Sequence, residues 1–256
     1  MLAATTPSAS SWNPAWEEIA ALLLLAGADA VAVKRHPATR ARMALFGAGL
    51  AVALAAVVTP LATLALHYLL SAHLVQNVAL AEWAPALLVA GLAPATAAAL
   101  ARNGLLHALT RPLVALPLWL ATYGLWHLPF AYDAALSHRL LLDLEHFSYL
   151  GAGCLLWWPV FQERPWSLPA GGKAAYLFAA FVLASPLGLL LALLPSPVYD
   201  AYVDAPRMWG LDALADQQIG GTAMAVSEAL VFFGLFAVYF VRFMAEEDAG
   251  YSQGDA

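Results

Sequence analysis

Apolar residues fall into seven long runs along this chain, separated by short polar breaks. A helix crossing the hydrocarbon core of a bilayer takes about 20 mostly apolar residues. Runs of that order occupy 16–33, 43–63, 66–92, 112–132, 142–160, 174–194 and 218–240. The pattern predicts an all-α polytopic membrane protein, a single domain over 1–256 with seven transmembrane helices. The second and third runs are one apolar stretch, interrupted at Thr59-Pro60 and again at His67. A tight turn is expected over residues 60–66.

Composition agrees with the pattern. Hydrophobic residues make up 62% of the chain and charged residues 11%, against roughly 25% charged in an average soluble domain. No polar stretch is long enough to fold separately, so a soluble domain is not expected. The net charge of −6 argues against a nucleic-acid partner; the expected surroundings are the lipid bilayer. Residues 1–14 lack the basic start of a cleaved signal peptide, so the first run is expected to be retained. The single cysteine, Cys154, excludes an internal disulfide and lies in an apolar run, where it reads as a packing residue.

The basic residues orient the helices. Nine of the eleven follow the first, third, fifth and seventh runs: Lys34, Arg35, Arg40, Arg42, Arg102, Arg111, Arg164, Lys173 and Arg242. Only Arg139 and Arg207 fall on the other side. The positive-inside rule then places the N-terminus outside and the C-terminus inside.

In this orientation five of the seven histidines share the outer end: His67, His73, His127, His138 and His146. Asp216 and Gln217, opening the last run, lie there too. Polar groups at such depth are expensive and often functional. Neutral imidazole suits copper, zinc and iron, so metal ligation is one reading. Interfacial histidines bonded to backbone carbonyls are the plainer one. On one helix His67 and His73 point roughly 120° apart, and converge only if a helix begins between them. Asn77, four residues after His73, shares its face. Pro129 implies a kink or helix end beside His127. Glu145 and His146 are adjacent and do not share a helix face. Glu145 is instead expected to pair with Arg139 or to orient a histidine on a neighbouring helix. Asp216 reads as a helix cap, and Gly220-Gly221 as a place of close helix approach.

Three stretches carry a resemblance: SAHLVQNVALAEWAPALLVAGLAP (71–94), WHLPFAYDAALSHRLLLDLEHFSYLGAGCLLWWPV (126–160) and DQQIGGTAMA (216–225). In these pieces and in the spacing of its runs, the chain resembles the CtaG family of cytochrome c oxidase assembly factors, the seven-span Gram-positive type. The resemblance implies a non-enzymatic plasma-membrane protein that acts on a heme–copper oxidase subunit and supplies copper. It maps His73, His127 and His146 onto family histidines, and Asp216 and Gln217 onto an Asp-Gln pair. The family pattern has a second histidine, in a His-x3-His pair, where this chain has Asn77.

The expectation is therefore a copper-insertion factor with His73, His127, His146 and His67 as candidate ligands. Asp216, Gln217, Glu145 and Asn77 would support them. The ligating imidazoles should reach one point, at copper–nitrogen distances of about 2.0 Å. Two rivals stand beside it: a heme-binding electron carrier with axial histidines, and a proton or ion transporter using Glu82 and Glu228.

Overall fold

The computed structural model describes residues 6–254, with side chains from 6 to 249, and all regular structure among them is helical. The N-terminal segment read for a leader, 1–14, lies partly outside the described residues. The elements are α1 (Trp16–Arg35), α2 (Arg40–Val58), α3 (Pro60–His67), α4 (Leu70–Val78) and α5 (Ala84–Gly91), with a π-helical turn (Ala79–Trp83) joining the last two. The short α6 (Pro94–Leu100) and α7 (Gly104–Leu109) lead to α8 (Pro112–Trp126), α9 (Pro129–Ser137), α10 (Arg139–Phe161) and α11 (Ala170–Leu193). The short α12 (Asp200–Val203) precedes α13 (Ala213–Glu228), a second π-helical turn (Ala229–Phe233) and α14 (Gly234–Gly254).

Among the described residues each of the seven apolar runs is largely helical. By length and composition four could cross a membrane: Arg40–Val58, Leu70–Gly91, Ala170–Leu193 and Ala213–Ala249. The pair α8 and α9, bent by 71°, makes a fifth if taken as one broken span. The helices α1 and α10 are long enough but carry acidic groups: Glu17, Glu18 and Asp29 in one, Asp143 and Glu145 in the other. One expectation is corrected. Residues 60–66 form most of helix α3, not a tight turn. Pro60 occupies the first helical position, where its missing N–H is no loss, and the Thr59 hydroxyl accepts from the Leu61 N–H.

The rod running from α4 through the π-turn into α5 is the axis of the bundle. Of its span 72% is buried, against 22–39% for the other three apolar spans. Pro85 explains its irregularity. Proline has no N–H to donate to the carbonyl four residues back, which here is Ala81. That freed carbonyl accepts the indole N–H of Trp119 at 3.1 Å. The next carbonyl, of Glu82, accepts from Trp157 at 2.9 Å. Inside a membrane, open backbone groups need such partners.

Small residues bring the neighbouring helices close. A Cβ on Gly220 would meet the Ser71 Cα at 2.8 Å, and one on Gly221 would meet the Gly188 carbonyl at 2.7 Å. The Gly220-Gly221 pair therefore lets α13 lie against both α4 and α11. At the far end of the bundle Arg42 donates to the carbonyls of Ala90 (2.9 Å) and Leu92 (2.5 Å), capping α5. Lys173 and Arg242 flank the ring of Tyr239. These three basic residues thus lie at the end opposite His73, His127 and His146.

Candidate functional site

The helix α4 begins between His67 and His73, so the two imidazoles belong to different helices. Its N-cap residue, Leu69, has no side chain able to cap. The carboxylate of Asp216 does so from α13, accepting from the N–H of Leu70 at 2.6 Å and of Ser71 at 3.2 Å. It also accepts from the Ser71 hydroxyl at 2.5 Å. Asp216 does not cap its own helix; Asp212 does that, accepting from the Ala215 N–H.

His73 is fully buried one turn below this cap. Its Nδ1 lies 2.7 Å from the Tyr202 hydroxyl. That hydroxyl donates its one proton to the Ala65 carbonyl at 2.5 Å, so Nδ1 must be the donor to Tyr202. The network therefore assigns the proton to Nδ1 and leaves Nε2 with its lone pair. Nε2 has no hydrogen-bond partner and stands 3.8 Å from Glu145 Oε1. The same carboxyl oxygen accepts from the Asn77 amide at 3.1 Å.

His127 ends α8, and Pro129 opens α9 at the 71° bend. The proline thus produces the break that its position implied. The carbonyl of His127, left free by the break, accepts from the Tyr199 hydroxyl at 2.9 Å. Its Nδ1 donates to the Tyr123 carbonyl at 2.8 Å, and its buried Nε2 is unpartnered. His146 repeats the arrangement on α10. Its Nδ1 lies 3.0 Å from Glu18 Oε1, and its Nε2 is buried and unpartnered. His146 and Glu18 also line a cleft of about 250 Å³ walled by Leu22, Ala53, Val57 and Leu80.

All three histidines therefore share one condition: Nδ1 is held, and Nε2 is buried without a protein partner. A second partner on the opposite ring nitrogen is how metal-ligating histidines are usually oriented. They are not gathered on one point. Among the described residues, the one group of three His, Cys, Asp or Glu ligand atoms within 4.8 Å of one another is Glu17, Glu18 and Asp143. The ring of Tyr132 neighbours both His73 and His127, with centroids 4.7 and 6.1 Å from theirs. The acidic trio already has a cation. Arg139 reaches Glu17 at 2.9 Å, Glu18 at 2.7 Å and Asp143 at 2.8 Å.

The remaining expected residues separate clearly. His67 and His138 are exposed and stand apart from the buried set. Gln217 fixes the loop after α11: its Oε1 accepts from the Val198 N–H at 2.9 Å, and its amide reaches the Leu191 and Ser196 carbonyls at 3.3 Å. That loop leads into Tyr199 and Tyr202, the two hydroxyls on the histidine network. Glu145 faces the histidine on a neighbouring helix, the second of its two expected roles, and Arg139 goes to the acidic trio. Sequence reading missed Glu18, Tyr199 and Tyr202. The signal for Glu18 was available, since two adjacent acids in the first turn of an apolar helix are unusual; the tyrosines gave none.

Comparison with known proteins rests on one finding. A family model described as cytochrome c oxidase caa3 assembly factor matches residues 22–246. No curated protein and no solved structure matches the chain. The match takes in the buried histidines, Glu145, Asn77, Asp216 and Gln217, and leaves out Glu18. Because it spans most of the sequence, the chain belongs to the cytochrome c oxidase caa3 assembly factor family.

Proposed function

We propose that this protein assists maturation of a heme–copper oxidase by carrying copper, as cargo, at the histidine end of its bundle. The observation behind this reading is the shared state of His73, His127 and His146. Each is buried, each has Nδ1 held by a partner, and each leaves Nε2 bare. A buried nitrogen without a partner is costly, and three of them at one end of a bundle ask for a common explanation. A soft cation that prefers imidazole, such as copper, supplies one. His73 is the central ligand in this reading, with Glu145 across from its Nε2 and Asn77 holding Glu145. Because the three imidazoles do not meet at one point, loading requires side chains to move or the ion to use the histidines in turn. Either suits a carrier that must release its cargo to an oxidase subunit. His67 is exposed and takes no part in the buried set. The reading places the histidine end outside the plasma membrane and implies no catalytic turnover.

The test is an anaerobic Cu(I) titration of the detergent-solubilised protein against a competing chelator. Saturable binding in wild type, lost in His73→Ala and weakened in His127→Ala and His146→Ala, is expected. Binding unchanged in all three variants would remove copper from the reading and leave assembly without a metal. A Soret band in the protein as purified would favour the heme-binding alternative.

A further inference from the structure

Two carboxylic acids sit deep in the bundle and take no part in the histidine network. Glu82 and Glu228 are both fully buried. Glu82 stands midway along the α4–α5 rod and Glu228 at the end of α13, and a hydrogen bond between their sequence neighbours Trp83 and Ser227 brings the two positions together. Both oxygens of Glu82 and one of Glu228 have no hydrogen-bond partner. No lysine, arginine or histidine forms an ion pair with either among the described residues. The groups facing them are neutral: the Tyr123 hydroxyl from α8 donates to Glu228 at 3.0 Å, Ser185 approaches from α11, and Tyr149 stands behind Tyr123 on α10. Both π-helical turns among the described residues lie here, one containing Glu82 and one following Glu228 directly. The Trp83 indole ties them together by donating to Ser227 at 2.9 Å. Such turns inside helices often mark functional sites.

We propose that Glu82 and Glu228 form a proton-binding site, which gives up its proton when a cation binds at the histidine end. Two buried carboxyl groups faced by neutral side chains and without a counter-ion are costly to ionise together, so the pair keeps a proton. Tyr123 connects the pair with the histidines. Its hydroxyl is on Glu228, and its backbone carbonyl is on His127 Nδ1. A cation arriving at His127 adds positive charge to that line. Loss of one proton from the carboxyl pair to solvent restores the interior charge, with no oxidation or reduction involved. The coupling rests on the copper reading; the proton site itself does not.

The experiment is infrared spectroscopy of the whole protein in detergent, in H2O and D2O, before and after anaerobic addition of Cu(I). In metal-free wild type a carboxylic-acid C=O stretch that moves to lower frequency in D2O is expected, stronger than in the E82Q/E228Q variant, where the buried Glu145 is still present. Absence of that band from wild type, or equal intensity in the variant, overturns the proton site. Bound Cu(I), verified by titration of the same sample, is expected to diminish the part of the band that the variant lacks; an unchanged difference between wild type and variant overturns the coupling. Failure of Cu(I) to bind at all overturns the copper reading, and with it the coupling. The metal-free spectrum decides the proton site in every case.

Discussion

Asp216 on α13 caps α4, a helix 146 residues away in sequence, by accepting from the N–H of Leu70 at 2.6 Å. The contact sets where α4 begins, and so sets the depth of His73 one turn later. Asp216→Ala leaves two backbone N–H groups and the Ser71 hydroxyl without their acceptor. Losing a cap in a buried setting costs about 2 kcal/mol. Thermal unfolding in detergent should show a clear fall in Tm for Asp216→Ala and a smaller one for Asp216→Asn, which keeps one acceptor oxygen. An Asp216→Ala protein as stable as wild type would mean that α4 does not depend on this cap.

Tyr202 has the corresponding role for the imidazole itself. Its hydroxyl accepts from His73 Nδ1 and donates to Ala65, which keeps Nε2 free of a proton. Tyr202→Phe removes that constraint without opening a large hole. In metal sites the loss of such an orienting partner costs about 10–100-fold in affinity. The Cu(I) titration should show a loss in that range, with the protein still folded. Unaltered affinity would show that His73 does not bind through Nε2.

Glu18 holds α1 to the bundle. Within α1 only Glu18 and Leu22 are buried, and the Glu18 carboxylate binds both Arg139 and His146. Glu18→Ala breaks both contacts and should cost about 2 kcal/mol. It should also expose His146 by way of the cleft beneath α1, and faster reaction of His146 with an imidazole-modifying reagent, mapped by mass spectrometry, is the expected result. Equal rates in wild type and variant would mean that Glu18 does not guard His146.

What hydropathy could reveal was the all-helical, membrane-spanning class and the place of the apolar helices, because an apolar run of the right length has few other uses. Single residues with strong backbone rules were legible too. Pro129 marked the break at His127, and Gly220-Gly221 marked a close helix approach. Contacts between distant parts of the chain left no such trace. Asp216 looks like a cap of its own helix until α4 is seen beside it. Tyr202 sits in the four-residue helix α12, too short for a periodicity to connect it with His73. The π-turn at Glu82 arises from Pro85 together with indoles on α8 and α10, and a linear pattern does not bring those three together. Pro60 was misleading for a related reason: proline ends helices and also begins them, and here it begins α3.

The distribution of basic residues makes a separate prediction about orientation. Arg42, Lys173 and Arg242 lie at the end opposite the buried histidines, and the positive-inside rule puts that end in the cytoplasm. A reporter that works only in the cytoplasm, fused after Ala256, should be active; the fusion point is outside the described residues. Activity of a reporter that needs the external compartment would reverse the protein and place the histidines on the inner face.

Asn77 offers the sharpest test of the copper reading. It lies one helical turn from His73, on the same face, and its amide donates to Glu145 Oε1, the oxygen 3.8 Å from His73 Nε2. Its own carbonyl oxygen is buried without a partner. An amide is a poor ligand for a soft cation, so on the copper reading Asn77 leaves the proposed site short of one donor. Asn77→His places a second imidazole beside His73 and against Glu145, restoring the His-x3-His spacing. Cu(I) should then bind more tightly by about tenfold, equivalent to about 1.4 kcal/mol. His73→Ala in the same series should abolish binding. A carrier must also let its ion go, so the tighter variant should deliver copper to an oxidase more slowly in a transfer assay. Three equal affinities for wild type, Asn77→His and His73→Ala would show that α4 supplies no ligand, and the copper reading would fall.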